Sequence, residues 1–154
     1  MRCLRARFAV VLFLGVLVVP SSWSQQRSSE IERALFEAAN RDRHQQGLEE
    51  LKWDDALARA ARKHAEQMAK NHTLSHQLPG EVGLPGRVGQ AGVKHSWLSE
   101  NIAEGSDAED IHAQLMKSPN HRANILDSEM DTVGIGVVES GGKWYGVEDF
   151  VKAK

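Results

Sequence analysis

The spacing of apolar positions along the chain predicts three helices. Apolar residues recur every three to four positions within 28–47, 53–71 and 106–117, which is the period of a helix that buries one face. Gly47 follows the last periodic residue of the first segment and predicts its end. His64 lies in the apolar stripe of the second segment. We therefore expect it to be a core histidine with one satisfied hydrogen bond rather than a ligand.

Two serines mark where the first and third of these helices are expected to begin. Ser29 is followed three positions later by Glu32, and Ser106 by Glu109. This spacing is that of a capping box, in which the two side chains satisfy free backbone N–H groups of the first turn. The sequence therefore predicts helix starts at both serines.

The last third of the chain changes to the period of a β-strand. Apolar and small residues alternate in 132–139 and again in 143–151, with Ser-Gly-Gly between them, which predicts an antiparallel hairpin. Residues 96–103 form a third candidate strand. Gly134 and Gly136 share one strand face and indicate that another element packs against the backbone there. Helices, a strand, another helix and a hairpin together predict an α+β domain, with a small, mostly antiparallel sheet covered by helices.

Residues 80–94 contain glycine at every third position for five triplets. Although this is the collagen period, five triplets are too few to form a triple helix. The segment is therefore interpreted as a long, mobile surface loop.

The first two dozen residues have the pattern of an export signal. A cationic start precedes an apolar run at 8–19, and Ser22 and Ser24 give a small-x-small cleavage pattern. The run is shorter than the roughly 20 residues of a membrane span. We predict a signal peptide at 1–24, cleavage after Ser24, and a single secreted domain at 25–154, extracellular or periplasmic, with no membrane span after cleavage.

Cleavage would change both the charge and the cysteine content. Loss of Arg2, Arg5 and Arg7 leaves 16 basic and 21 acidic residues, a net charge of −5. No basic surface suited to a phosphate backbone is expected, so nucleic acid is excluded as a partner. Cys3, the single cysteine of the sequence, also lies in the signal peptide. The mature domain would be stabilised by its apolar core without disulfides.

Some polar residues stand out against the apolar pattern. Glu100 shares a strand face with Leu98 and Ile102, so it lies either at a sheet end in water or in a functional site, because burying an unpaired carboxylate is costly. His72 and His76 are four residues apart, a spacing that could chelate a metal on a helix, although the neighbouring residues favour a helix end.

His121 belongs to a short predicted helix. Ser118 and Pro119 have the N-cap and first-turn preferences of a helix start. His121 would then lie at the positive end of the helix dipole, which favours the neutral imidazole, the form that binds metals or acts as a base. The alternative is a histidine that simply caps and packs.

Five segments in this order resemble the CAP superfamily, the group of cysteine-rich secretory proteins, antigen 5 and PR-1. They are GLEELKWDDALARAARKHAEQMAKN, LSH, SENIAEG, SPNHRANIL and VGIGVV. The resemblance covers about residues 30–151 and is strongest to the short, cysteine-free bacterial members. It implies a secreted α-β-α sandwich with a shallow central cleft.

The resemblance also implies a metal site. Many members of the superfamily carry two histidines and two acids in the cleft, and some bind zinc through the histidines. These positions correspond to His76, Glu100 and His121 here, while the second acid has no clear counterpart and Ser118 lies closest to it. The implied ligands for zinc or another divalent metal are therefore His76, Glu100 and His121.

Two classes of function follow from these patterns. The first is a non-catalytic binding module whose cleft holds a divalent metal, a lipid or a sterol, or whose surface binds another extracellular protein. The second is a metal- or histidine-dependent hydrolase, for which no catalytic residue is assigned. An apolar groove would favour a lipid-binding module, whereas polar groups that converge on His76 and His121 would favour a hydrolase.

Overall fold

The computed structural model of the protein describes residues 21–154, which form a four-stranded sheet between two layers of helices. In chain order the elements are α1 (Ser21–Gln45), β1 (Lys52–Trp53), α2 (Asp55–Asn71), α3 (Leu84–Gln90), β2 (His95–Gly105), α4 (Ala108–Lys117), α5 (Pro119–Ile125), β3 (Thr132–Ser140) and β4 (Lys143–Ala153). Residues 21–154 therefore have the predicted α+β sandwich architecture.

The sheet has the strand order β1-β3-β4-β2. β3 and β4 form the predicted antiparallel hairpin, and their turn uses Gly141 and Gly142, whose φ angles of 63° and 80° are in the region that favours glycine. β2 pairs antiparallel with β4, while the two-residue strand β1, which the sequence pattern did not predict, pairs parallel with β3. The sheet is thus mostly antiparallel, and β2 is an edge strand.

Helix α2 packs on one face of the sheet at very short range. A Cβ atom at Gly134 would lie 2.3 Å from the backbone N of Ala58, and one at Gly136 would lie 2.1 Å from the backbone N of Arg62. Both distances are far below van der Waals contact. The two glycines therefore let the backbones of β3 and α2 approach each other, as the sequence predicted.

The other face of the sheet is covered by α1, α4 and α5, and this side contains the largest apolar cluster. Its buried residues come from all three helices, from β2, β3 and β4, and from two connecting segments. They are Leu35, Ala39, Leu51, Ala103, Ile111, Leu115, Ile125, Met130, Val133, Ile135, Val137, Trp144 and Phe150. Both faces of the sheet are therefore buried, which explains why β3 contains few polar residues.

The predicted start of the first helix is wrong. α1 begins upstream of Ser29, whose Oγ donates a hydrogen bond to the carbonyl of Gln26 inside the helix. Glu32 does not cap the helix, because its carboxylate binds the guanidinium of Arg62 on α2 and accepts the backbone N–H of Val137 on β3. A tertiary ion pair therefore uses the residue that the local pattern assigned to a capping box.

The capping residue of α4 is shifted by one position from the prediction. Asp107, not Ser106, is the N-cap, and its Oδ1 accepts the backbone N–H of Asp110 at 2.9 Å. Asp is as good an N-cap as Ser, and the sequence offers both side by side. The helix itself is where the apolar period predicted it.

The interpretation of 80–94 as a loop is wrong for its central part, where α3 forms. Pro85 lies at the start of this helix, a favoured position because proline has no N–H to leave unbonded there. Val88 is fully buried and packs with Leu57 of α2 and Val151 of β4. Apolar contacts to the main domain thus support a helix in a segment whose glycine content suggested a loop.

The predicted signal peptide lies almost entirely outside the described residues, and its cleavage stays a prediction. None of the helices within 21–154 combines the length and the apolar character that a membrane crossing requires.

Candidate functional site

The candidate site lies at the edge of the sheet formed by β2. Glu100 and Asn101 are neighbours on this strand, so their side chains point to opposite faces. Glu100 faces the layer of α2 and α3, while Asn101 faces α5. Chain segments from both helical layers therefore meet at these two residues.

Glu100 is buried, with 2% of its side chain exposed, and both carboxylate oxygens have partners. Oε1 lies 2.8 Å from Nδ1 of His76, and Oε2 accepts a hydrogen bond from the guanidinium of Arg87 on α3. Nε2 of His64 lies 3.9 Å from Oε2. Of the two alternatives from the sequence, the structure places Glu100 inside the protein and not in water.

His76 lies in the connection between α2 and α3, and 59% of its side chain is exposed. α2 ends before it, with His72 in a left-handed conformation at the C-cap, so these two histidines do not share a helix. Nδ1 of His76 is bound to Glu100, and within residues 21–154 no hydrogen bond forms at Nε2. Within the described residues, Nε2 of this largely exposed side chain is therefore free of hydrogen bonds.

His64 is a core histidine, as predicted, but it makes two hydrogen bonds instead of one. Its Nδ1 lies 2.9 Å from Oε1 of Glu81, and its Nε2 lies 2.9 Å from the carbonyl of Ser75. Both partners belong to the connection that carries His76. The histidine therefore ties this connection to α2 and is not available as a ligand.

His121 lies in the first turn of α5 and is held through its backbone. Nδ2 of Asn101 donates to the carbonyl of His121 at 3.1 Å, and Nδ2 of Asn124 donates to Oδ1 of Asn101 at 2.9 Å. Burial lowers the pKa of His121, and the nearby charge of His76 lowers it further. The neutral imidazole is thus favoured as predicted, with burial as the first cause of the lowered pKa.

Asp149 is a buried acid that the sequence reasoning missed. It lies directly opposite Glu100 in the pairing of β2 with β4 and is fully buried. Its carboxyl oxygens have no hydrogen-bond donor among the described residues. Burial, and then the negative charge of Glu100, raise the pKa of Asp149 well above its usual value. The signal was available, since two consecutive acids, Glu148 and Asp149, interrupt an otherwise apolar strand.

Glu148 is buried on the opposite face of β4. Its Oε2 accepts a hydrogen bond from Nδ2 of Asn101, while its Oε1 has no partner within residues 21–154. Burial raises the pKa of Glu148 to about 7, although the hydrogen bond from Asn101 opposes the shift. Glu148 therefore supports the Asn101 side of the site as a buried acceptor.

The structure brings His76 and Glu100 into contact and places His121 within electrostatic range of His76. Within the described part of the chain, however, no three His, Cys, Asp or Glu side chains form a group arranged to hold a metal ion. The predicted metal set of His76, Glu100 and His121 therefore stays a prediction.

A groove of about 800 Å³ lies beside the site, between α2 and the segment that leads into α3. Its walls combine apolar residues such as Leu78 and Val82 with the cationic side chains of Arg59 and Lys63. It is therefore a mixed polar and apolar surface rather than an apolar channel.

Residues 36–151 match the family model described as "CAP: Cysteine-rich secretory protein family". The chain is 32% identical over 117 residues to the uncharacterised protein YkwD of Bacillus subtilis (strain 168), an alignment that covers 75% of this chain and 46% of that protein. The chain thus spans about half the length of this curated relative.

Solved structures show the same fold. An extracellular protein from Bacillus anthracis with an SCP domain superposes with a TM-score of 0.81 at 25% identity, over 87% of this chain and 44% of that one. An outer surface protein from Borrelia burgdorferi superposes with a TM-score of 0.75 at 21% identity, over 81% of this chain and 94% of that one. The second likeness concerns the fold alone.

Proposed function

The chain belongs to the cysteine-rich secretory protein family, and from this premise we propose that it is an exported, non-catalytic binding module. Its ligand at His76 and His121 is a divalent metal ion, zinc in the first instance. Such an ion, when bound, supplies open coordination positions to oxygen or nitrogen donors of a partner molecule.

The observation that carries this proposal is the contact between Glu100 and His76. A histidine that binds a metal through one ring nitrogen usually donates the other N–H to a carboxylate, which fixes the ring and its tautomer. The 2.8 Å contact between Nδ1 and Oε1 meets this condition, and 59% of the His76 side chain is exposed. The lowered pKa of His121 supports the proposal, because a ligating imidazole must be neutral.

Glu100 is assigned to positioning rather than to direct ligation. Both of its oxygens are used by His76 and Arg87, and its side chain is buried. We therefore assign the metal to two imidazoles, those of His76 and His121, with water or a partner molecule completing the coordination. Two protein ligands predict weaker binding than in a closed structural zinc site with four.

The alternative function, a hydrolase with a histidine base, has weaker support. The pairing of His76 with Glu100 resembles a catalytic base with its orienting acid. Yet among residues 21–154 no Ser, Thr or Cys side chain is hydrogen-bonded to His76, so a nucleophile is lacking at the ring. A lipid or sterol is also a weaker candidate ligand than a metal ion, because the neighbouring groove is lined by cationic side chains.

Calorimetric titration of the purified protein with zinc tests the proposal. His76→Ala and His121→Ala should each weaken binding by about tenfold or more while the circular dichroism spectrum stays unchanged, because each removes one of two ligands. Affinity should fall as the pH drops through about 6 to 7, since protons compete with the metal for the imidazoles. Equal zinc binding by the wild type and both variants would rule out this site.

We also propose that the protein acts outside the cytoplasm, after cleavage behind Ser24. The relatives of known structure include proteins described as extracellular and outer surface proteins, which is consistent with export. The intact mass of the exported protein should correspond to a chain that begins at Gln25. A full-length precursor retained in the membrane would contradict this.

A further inference from the structure

Helix α3 carries a buried cation that neither the sequence pattern nor the family resemblance singled out. Arg87 is 6% exposed, and its guanidinium makes three contacts within the site region. It donates to Oε2 of Glu100, to the backbone carbonyl of His76 at 3.1 Å and to the carbonyl of Val82 at 3.4 Å. Two of these three hydrogen bonds, those to Glu100 and to the His76 carbonyl, hold His76 in place.

We propose that Arg87 is the positioning residue that fixes the direction of the His76 imidazole. Glu100 binds the ring of His76, and Arg87 binds both Glu100 and the backbone of His76. The three residues therefore form a closed ring of contacts. The imidazole cannot rotate or shift without breaking a contact to a buried charged group.

The chemistry of the guanidinium suits this role. It is planar, permanently charged and offers N–H donors in a fixed fork, so one side chain bridges a carboxylate and a carbonyl at the same time. A lysine ammonium is a compact point charge, which could neutralise Glu100 but would not hold both acceptors in the same geometry. Shape as well as charge is therefore required of Arg87.

The charge of Arg87 also determines what Glu100 can do. A buried carboxylate is stable only when it is paired and hydrogen-bonded, and on β4 Glu100 faces a second acid, Asp149. The guanidinium supplies a compensating charge at Oε2, which leaves Oε1 as the acceptor for Nδ1 of His76. When Nδ1 carries the proton, Nε2 is the nitrogen with a free lone pair.

Arg87 itself lies on a helix that is anchored in the apolar core. The next residue, Val88, is fully buried against Leu57 and Val151, and Pro85 begins the helix. A guanidinium anchored in this way can define the position of a more exposed residue. Only the effect of Arg87 on metal affinity rests on the proposed function. The orientation of the His76 ring can be measured without any metal.

The test compares Arg87→Lys and Arg87→Met with the wild type. In the metal-free wild type, ¹⁵N NMR of the His76 ring should show one dominant tautomer with the proton on Nδ1. Both variants should give a mixture of tautomers, and zinc affinity should fall about tenfold or more, as is typical when the partner of a ligating histidine is lost. Arg59→Lys, an exposed change on α2 beside the same groove, should alter neither quantity.

The outcomes separate this proposal from the proposed function. If the wild type does not bind zinc, the metal site is wrong, yet the tautomer measurement still decides the role of Arg87. Arg87→Met leaves a buried carboxylate unpaired and could unfold the domain, so Arg87→Lys, which keeps the charge, is the decisive variant. The proposal is overturned if Arg87→Lys keeps the wild-type tautomer and zinc affinity, or if it fails to fold.

Discussion

On the side of the sheet covered by α1, α4 and α5, thirteen buried apolar residues form one continuous cluster, whereas on the α2 side the apolar residues fall into two smaller clusters. The division on the α2 side coincides with the charged residues of the site. On β4, Asp149 lies on the α2 face between Val147 of one cluster and Val151 of the other. A buried acid therefore divides the apolar packing of the α2 side at the position of the site.

The difference shows how the domain separates stability from function. On the side of α1, α4 and α5, Asn101 and Glu148 are buried as a hydrogen-bonded pair near the edge, and the apolar cluster remains continuous. The α2 side compensates for its divided apolar packing by close backbone contact at two glycines. Variants on the two sides should therefore behave differently.

The largest expected effect on the free energy of unfolding is at the contact of Gly136 with α2. Gly136→Ala places a Cβ atom 2.1 Å from the backbone N of Arg62, so the helix must move away from the sheet. We expect a loss of about 3 kcal/mol or more in the free energy of unfolding, at the upper end for overpacking.

The matched control is Gly146→Ala on the other face, where the new Cβ would make ordinary contacts of 3.5 Å and longer with Ile111. It should cost less than about 1 kcal/mol, since no atom has to move. Urea unfolding of both variants gives the comparison, and equal losses would show that the α2 contact is not special.

A medium effect on the free energy of unfolding is expected from Glu148→Gln, which removes the buried acid from the sheet face covered by α1, α4 and α5. The pKa of Glu148 is about 7 in the folded protein against an ordinary value of 4.5, so the unfolded chain loses the proton first. The unfolding free energy of the wild type should therefore decrease as the pH rises from about 4.5 to 7.

Glu148→Gln removes the contribution of Glu148 to this dependence, while Asp149 keeps its own. The variant should match the wild type near pH 4 and exceed it by up to about 3 kcal/mol at pH 8, because the shift of the pKa corresponds to that free energy. Urea titrations at several pH values measure the difference. A constant difference across this range would show that Glu148 keeps its ordinary pKa.

The smallest effect is expected at an exposed histidine far from the site. His44 lies in the last turn of α1, on the other side of the sheet from His76. His44→Ala should leave zinc affinity unchanged, which distinguishes binding at the candidate site from adventitious binding to any histidine. A decrease comparable to that of His76→Ala would place the metal elsewhere.

Periodicity predicted α1, α2 and α4, the hairpin and the close approach at Gly134 and Gly136. It failed where a tertiary contact decides the local structure. α3 depends on the burial of Val88 between two distant elements, and Glu32 is used in an ion pair with Arg62 instead of a capping box. Neither interaction leaves a trace in the nearby sequence.

The site was predictable to a different extent. The family resemblance named His76, Glu100 and His121, and local reasoning found the unusual position of Glu100 on an apolar strand face. Arg87 and Asp149 were missed, because their roles depend on which strand or helix lies next to Glu100. Pairing partners across a sheet are set by the fold as a whole, so one sequence gives few signals for them.

The position of the site on an edge strand also determines when it can form during folding. The β3–β4 hairpin closes through a tight turn, and hairpins of this kind form in about 1–10 μs. β2 must then join β4 across a long stretch of chain, a slower step because a large loop loses entropy when it closes. We therefore expect Glu100, Arg87 and both histidines to come together late, so that ligand binding reports a completely folded domain.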